Sequence, residues 1–194
     1  GYDELDAETT ILGILKDGVP VTNASAGETV EVIVGATTLY AESGGQDSDA
    51  GTIIGSGFEL EVLDVQRPVK GLVSHTVTVS TGQVAVDDKA TTVVDRAYRR
   101  EGSAAHSATH LIHAALRQTL GDRAHQAGSY NKSGYMRLDF SWNEALSAAT
   151  RSEIEDLANK AVLADYDVVT REMSLDDAQA AGAMALFGEK YGDQ

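Results

Sequence analysis

The sequence predicts an α+β fold, a small β-barrel subdomain over residues 1–95 followed by an α/β subdomain over residues 96–194. Three observations carry that reading. Before Asp95, apolar residues alternate or run in short β-branched clusters between glycine-bearing turns. After it, stretches of 3.6-residue periodicity take turns with stretches of alternation. Between the two, Asp95–Gly102 crowds Arg96, Arg99, Arg100 and Glu101 together.

The first half supplies five candidate strands: Ile11–Leu15, Val30–Val34, Phe58–Val65, Val73–Val79 and Thr91–Val94. Phe58, Leu60 and Val62 alternate with Glu59 and Glu61, the pattern of a strand with one face buried. Asp17-Gly18, Ala26-Gly27 and Thr81-Gly82 supply turns. Short strands at this spacing suggest a barrel or a sandwich. His75 falls on the apolar parity of its strand and reads as a core or rim residue. Ala41–Gly57 interrupts the pattern with Gly44, Gly45, Gly51, Gly55 and Gly57, and reads as a loop whose backbone can approach a ligand closely or as a glycine-rich hairpin.

The second half centres on His106–Ser129, HSATHLIHAALRQTLGDRAHQAGS. Its residues favour helix, with Ser103 a candidate cap at the start and Gly121 a candidate terminator. Leu111, Ile112, Ala115, Leu116 and Thr119 form a mostly apolar stripe, and His106, His110, His113 and Arg117 an adjoining one. His106 and His110 sit at i and i+4, one above the other on a helix face, the spacing at which two imidazoles reach one metal ion. His113 is a rival ligand, but it lies two turns beyond His106, about 10 Å along the axis. Metal bonds of about 2 Å do not comfortably span that distance, so His113 reads as structural. Further on, Met136, Leu138, Phe140 and Trp142 alternate as a half-buried strand, and Ile154, Leu157, Ala158, Ala161 and Val162 give a helical face. Val168–Met173 reads as another strand, and Ser174 as the cap of a short helix ending near Gly182.

Composition narrows the classes. With 42% hydrophobic and 23% charged residues the chain is that of a soluble globular protein. No apolar run reaches the about 18 residues of a membrane span, and Gly1–Asp6 is too acidic for a signal peptide. The absence of cysteine excludes disulfides and any cysteine-ligated zinc within these residues, and fits a cytoplasmic setting. A net charge of −15 opposes broad nucleic-acid binding. RNA contact would have to use a local patch drawn from Arg96, Arg99, Arg100, Arg117, Arg123 and Lys132; isolated solvated cations are the alternative.

The His106–Ser129 segment resembles the editing domain of the alanyl-tRNA synthetases, related to stand-alone alanyl-tRNA editing proteins and to the editing region of threonyl-tRNA synthetases. Tyr40–Gln46 (YAESGGQ), Arg137–Ser141 (RLDFS) and Ala185–Asp193 (ALFGEKYGD) match the same family in the same order. In the family, a hydrophobic residue and a glycine commonly follow the glycine motif; Asp47 and Ser48 stand there.

The resemblance implies zinc-dependent hydrolysis of seryl- or glycyl-tRNA(Ala), in a parent enzyme that ligates alanine to tRNA(Ala) with ATP. A pocket shaped for alanine cannot strongly reject a smaller residue or one with an added hydroxyl, so a second, hydrolytic site removes the error. By motif match His106 and His110 are the metal ligands, and Thr109, Gln126 and Ser129 the residues that read the serine hydroxyl. Each of these three also has a plain reading, as a helix hydroxyl, a loop amide and a turn residue. Ser43, Gly44, Gly45, Gln46 and Arg117 fall to substrate and tRNA binding. The expected partners are the tRNA(Ala) acceptor end and the other domains of the parent synthetase, with no membrane.

The family's second ligand pair, a cysteine and a histidine, lies downstream of the GEKYGD segment, so the chain reads as a fragment cut before it. Such a fragment is expected to bind zinc weakly or not at all and to hydrolyse poorly, with its fold intact. The competing reading is a non-catalytic tRNA-binding or spacer module that keeps the fold.

Overall fold

The computed structural model describes residues 4–182. The chain divides into two compact units, 1–159 and 160–194. The first contains a closed six-stranded β-barrel. Its strands are β1 (Asp6–Lys16), β4 (Thr29–Val34), β5 (Gly51–Gly55), β6 (Phe58–Val69), β7 (Leu72–Ala85) and β8 (Lys89–Val94). They pair antiparallel in the order β1-β4-β7-β6-β5-β8, and β8 returns to β1. One long strand makes that closure possible. The first part of β1, Asp6–Thr10, pairs with β8, and Ile11–Leu15 pairs with β4. Closure gives each of these six strands two neighbours. Two short strands, β2 (Val19–Val21) and β3 (Asn23–Ser25), extend the rim on β1 and β7.

Alternation drives the inner side chains together. Phe58, Leu60, Val62 and Val65 of β6 and Val77 and Val79 of β7 are buried with Ile11, Ile14, Val32 and Ile53, while Glu59 and Glu61 face out. Register shifts between β6 and β7 near Leu60 and Asp64 mark the bends that a closing sheet requires. His75 is fully buried among them. Its Nδ1 lies 3.1 Å from the Val32 carbonyl and its Nε2 3.0 Å from Thr37 Oγ1, and burial pushes its pKa below the ordinary histidine value.

All five strands read from β-branched or alternating runs are present, and β5 lies inside the glycine tract, where it forms with β6 the glycine-rich hairpin of the tract's second reading. The glycines there mark close packing. A Cβ on Gly51 would strike the Val93 carbonyl, and one on Gly55 the Phe58 ring.

Helix α1 (Arg96–Leu120) is 25 residues long, about 38 Å at 1.5 Å per residue. It starts seven residues before the Ser103 that the sequence offers as its cap. Asp95 caps it instead, with Oδ1 accepting from the Ala97 and Tyr98 amides at 2.9 and 3.0 Å. Gly121, at φ +84°, ends it, and its N–H donates to the Arg117 carbonyl.

The hairpin of β9 (Gln126–Lys132) and β10 (Tyr135–Phe140) packs on α1. A second, smaller core forms there from Ala115, Leu116 and Ile154, with Ile112, Leu138, Phe140 and Leu146 half-buried around it. Ile154 belongs to α2 (Ala148–Ala164), whose expected apolar face is only partly used; Val162 is exposed.

In the second unit, α3 (Leu175–Ala180) is capped by Ser174, whose Oγ accepts from the Asp177 amide at 3.2 Å. Residues 168–173 do not form the expected strand. Val168 is 95% exposed, and a strand needs a neighbour to satisfy its backbone. The Ala185–Asp193 motif lies outside the described residues.

Candidate functional site

The segment between β4 and β5 leaves the barrel, makes a tight turn, touches β9 and α1, and returns. Ser43 and Gln46 exchange both backbone hydrogen bonds across Gly44 (φ +58°) and Gly45 (φ +77°). Two successive positive φ angles are what a two-residue turn of type I′ demands, and glycine meets that demand without strain. Gly45 is needed for a second reason, since a Cβ there would sit 2.7 Å from the Ser129 carbonyl oxygen. The Asn131 amide donates to the Gly45 carbonyl at 2.7 Å and the Asp47 amide to the Asn131 carbonyl at 2.8 Å, so the turn adds to the edge of β9. Asp47 and Ser48 fasten it further. Tyr130 donates its hydroxyl to Asp47 at 3.0 Å, and Ser48 donates to Asp64 at 2.9 Å.

That placement carries the Gln46 side chain to the histidines. Gln46 Oε1 lies 2.7 Å from His106 Nδ1, within reach of a proton on that nitrogen. His106 and His110 stack with ring centroids 5.0 Å apart and planes 22° from parallel. Burial and the neighbouring His110 push the His106 pKa below the ordinary value, which favours the neutral ring.

Both rings line a cleft of about 550 Å³ between the barrel and α1. Thr37, Tyr40 and Arg67 form its barrel wall, and Ser103, His106, Ser107 and His110 its helix wall. Arg99 also lines it, but its guanidinium embraces the buried carboxylate of Asp49 through Nε at 2.8 and 2.9 Å and through Nη2. Asp49 in turn accepts the Tyr40 amide at 2.7 Å, and Arg99 donates to the Thr38 carbonyl at 2.8 Å. This pair fixes the loop to the helix.

The remaining candidates do not line that cleft. Thr109 is buried behind the histidines, with its hydroxyl 2.6 Å from Asn131 Oδ1. Gln126 donates to the Ser129 hydroxyl at 3.2 Å on β9. Arg117 pairs with Asp122 at 2.5 Å. His113 is buried and faces the Ala124 backbone, which matches its structural reading. Thr37 and Arg67 carry no motif in the sequence and meet the histidines only through the fold, whereas Ser103 and Ser107 share α1 with them and Tyr40 opens the glycine motif. No group of three or more His, Asp or Glu side chains able to hold a metal occurs among the described residues.

Sequence comparison agrees with the barrel. The family signature described as "tRNA synthetases class II (A)" matches residues 1–98, which include all eight strands from β1 to β8. The chain belongs to that family. Over its whole length this class II synthetase chain is similar to the alanine–tRNA ligases of Clavibacter sepedonicus (65% identical) and Leifsonia xyli (61%). It spans 22% of the length of each.

Proposed function

We propose that this chain is the editing module of an alanine–tRNA ligase, hydrolysing the ester of serine or glycine wrongly joined to tRNA(Ala). The observation that carries the reading is the pair of stacked imidazoles on the cleft, His106 held by Gln46 of the glycine turn. The similarity to alanine–tRNA ligases supports it along the full chain. On this reading the parent protein joins alanine to tRNA(Ala) with ATP in the cytoplasm. The module's partners are the acceptor end of tRNA(Ala) and the parent's other domains.

The site fits half of a zinc centre. His106 and His110 would be the ligands, and a proton shared with Gln46 at Nδ1 leaves Nε2 of His106 as the donor atom. A zinc ion completed by ligands from elsewhere would position substrate and water. Gln126 and Ser129 form the polar pair that reads the serine hydroxyl, and Thr109 positions β9 against α1 through Asn131.

The decisive experiment is His106→Ala/His110→Ala in a full-length alanine–tRNA ligase that carries this segment. Deacylation of seryl-tRNA(Ala) should fall by more than about a hundredfold, beyond an outer-shell effect, with zinc content reduced and alanylation retained. A non-catalytic spacer is the second reading, favoured by the two-histidine donor set among the described residues. Unchanged deacylation in the double variant would establish it.

A further inference from the structure

The cleft holds two guanidinium groups of different standing. Arg99 is matched by Asp49, a buried carboxylate held against it by several hydrogen bonds. Arg67, near the end of β6, lines the same cleft, is exposed, and joins no ion pair among the described residues. Arg67 shares that cleft with the two imidazoles. A guanidinium offers a planar fork of donors suited to two oxygens of one anion.

The proposed substrate has one kind of anionic group near its reacting ester. The ester itself is neutral and the amino acid carries an ammonium. The 5′-phosphodiester of the terminal adenosine lies five bonds from the 3′ oxygen, on the other side of the ribose. A cleft of about 550 Å³ has room for one nucleoside and a small amino acid, with the ester at the helix wall and the phosphate at the barrel wall.

We infer that Arg67 is the phosphodiester-binding residue of the cleft, positioning the last nucleotide so that its aminoacyl ester meets His106 and His110. This rests on the editing reading and deepens it. Arg67 makes no bond to the reacting atoms; it sets where they lie. The family signature spans it without distinguishing it, because the signature covers the whole barrel.

The test uses full-length alanine–tRNA ligase carrying Arg67→Ala or Arg67→Lys. For seryl-tRNA(Ala) deacylation, R67A should raise KM about tenfold with kcat within about twofold, and R67K should recover most of the loss. Hydrolysis of the serine 3′-ester of adenosine, which lacks the phosphate, should be the same in wild type and R67A. A loss of equal size on both substrates, or none on either, overturns the proposal.

A second readout separates this proposal from the hydrolase reading. The probes are non-hydrolysable 3′-serylamides of adenosine with and without a 5′-phosphate. Wild type should prefer the phosphorylated probe about tenfold, and R67A should bind both alike. That preference in an enzyme that hydrolyses no seryl ester would sink the hydrolase and leave Arg67 standing. Hydrolysis with no Arg67-dependent preference would sink Arg67 alone.

Discussion

The barrel and the α1/β9/β10 layer solve the same problem by different means. The barrel buries a continuous set of Ile, Val, Leu and Phe side chains and closes on itself. The layer beside it buries Ala115, Leu116 and Ile154, leaves its other apolar residues half-covered, and among the described residues pairs β10 on one side only. Polar ties hold that layer in place: Arg99 to Asp49, Thr109 to Asn131, and the glycine turn to β9. A closed apolar core tolerates little loss, whereas a layer held by directional bonds can place reactive groups at a surface. The two histidines sit on the second, beside a cleft whose other wall is the first.

The largest expected contrast is in core truncation. Leu60→Ala in the barrel should cost about 3–4 kcal/mol, and Leu138→Ala on the half-covered β10 about 1 kcal/mol, read from urea midpoints. Equal costs would mean that the two cores are one cooperative unit. Next comes the tie between the regions. Asp49→Ala strands the Arg99 guanidinium and should cost about 3 kcal/mol, with Asp49→Ala/Arg99→Ala costing less than the sum of the single variants in a double-mutant cycle. Gly45→Ala combines an unfavourable φ with a clash on Ser129, and should cost about 2 kcal/mol. On the proposed editing function, the same change should weaken deacylation in a full-length ligase, because Gln46 moves off His106.

Sequence reasoning served the two regions unequally for the same reason. Alternation announces a strand with one wet and one dry face, so β1, β4, β6, β7 and β8 were legible. It is silent on β5, whose Gly51 and Gly55 are small because Val93 and Phe58 press on them, and on β9, whose Ser129 and Asn131 meet the glycine turn and α1. The His106/His110 spacing was readable within one helix. Gln46, sixty residues away, came forward only through its glycine motif, and Arg67 not at all, since a lone arginine near a strand end has no local signature. Ser103 is a cap-type residue ahead of the histidines, but Arg96–Gly102 already belong to the helix and Asp95 is its cap.

The smallest predicted effect concerns pH. Burial holds His75 below the ordinary histidine value in the folded chain, so the unfolded chain binds its proton first as pH falls. Its contribution to stability is complete above about pH 6.5 and is lost as pH drops below that toward the folded value. The slope is at most about 1.4 kcal/mol per pH unit for one proton. His75→Gln should flatten the dependence of the urea midpoint between pH 6.5 and 5. His106 and His113 are lowered too, so a residual slope of the same sign should remain.

The excursion from Tyr40 to Gly51 is anchored in the barrel at both ends and meets its imidazole at the middle. One residue inserted or removed between Ala41 and Gln46 displaces the amide by up to about 3.5 Å, more than the whole length of its hydrogen bond to His106. Grafting α1 with its two histidines onto another scaffold would therefore transplant the imidazoles without the group that orients them. The portable unit is the helix together with the barrel, so loop length here is as much a part of the site's chemical inheritance as the histidines themselves.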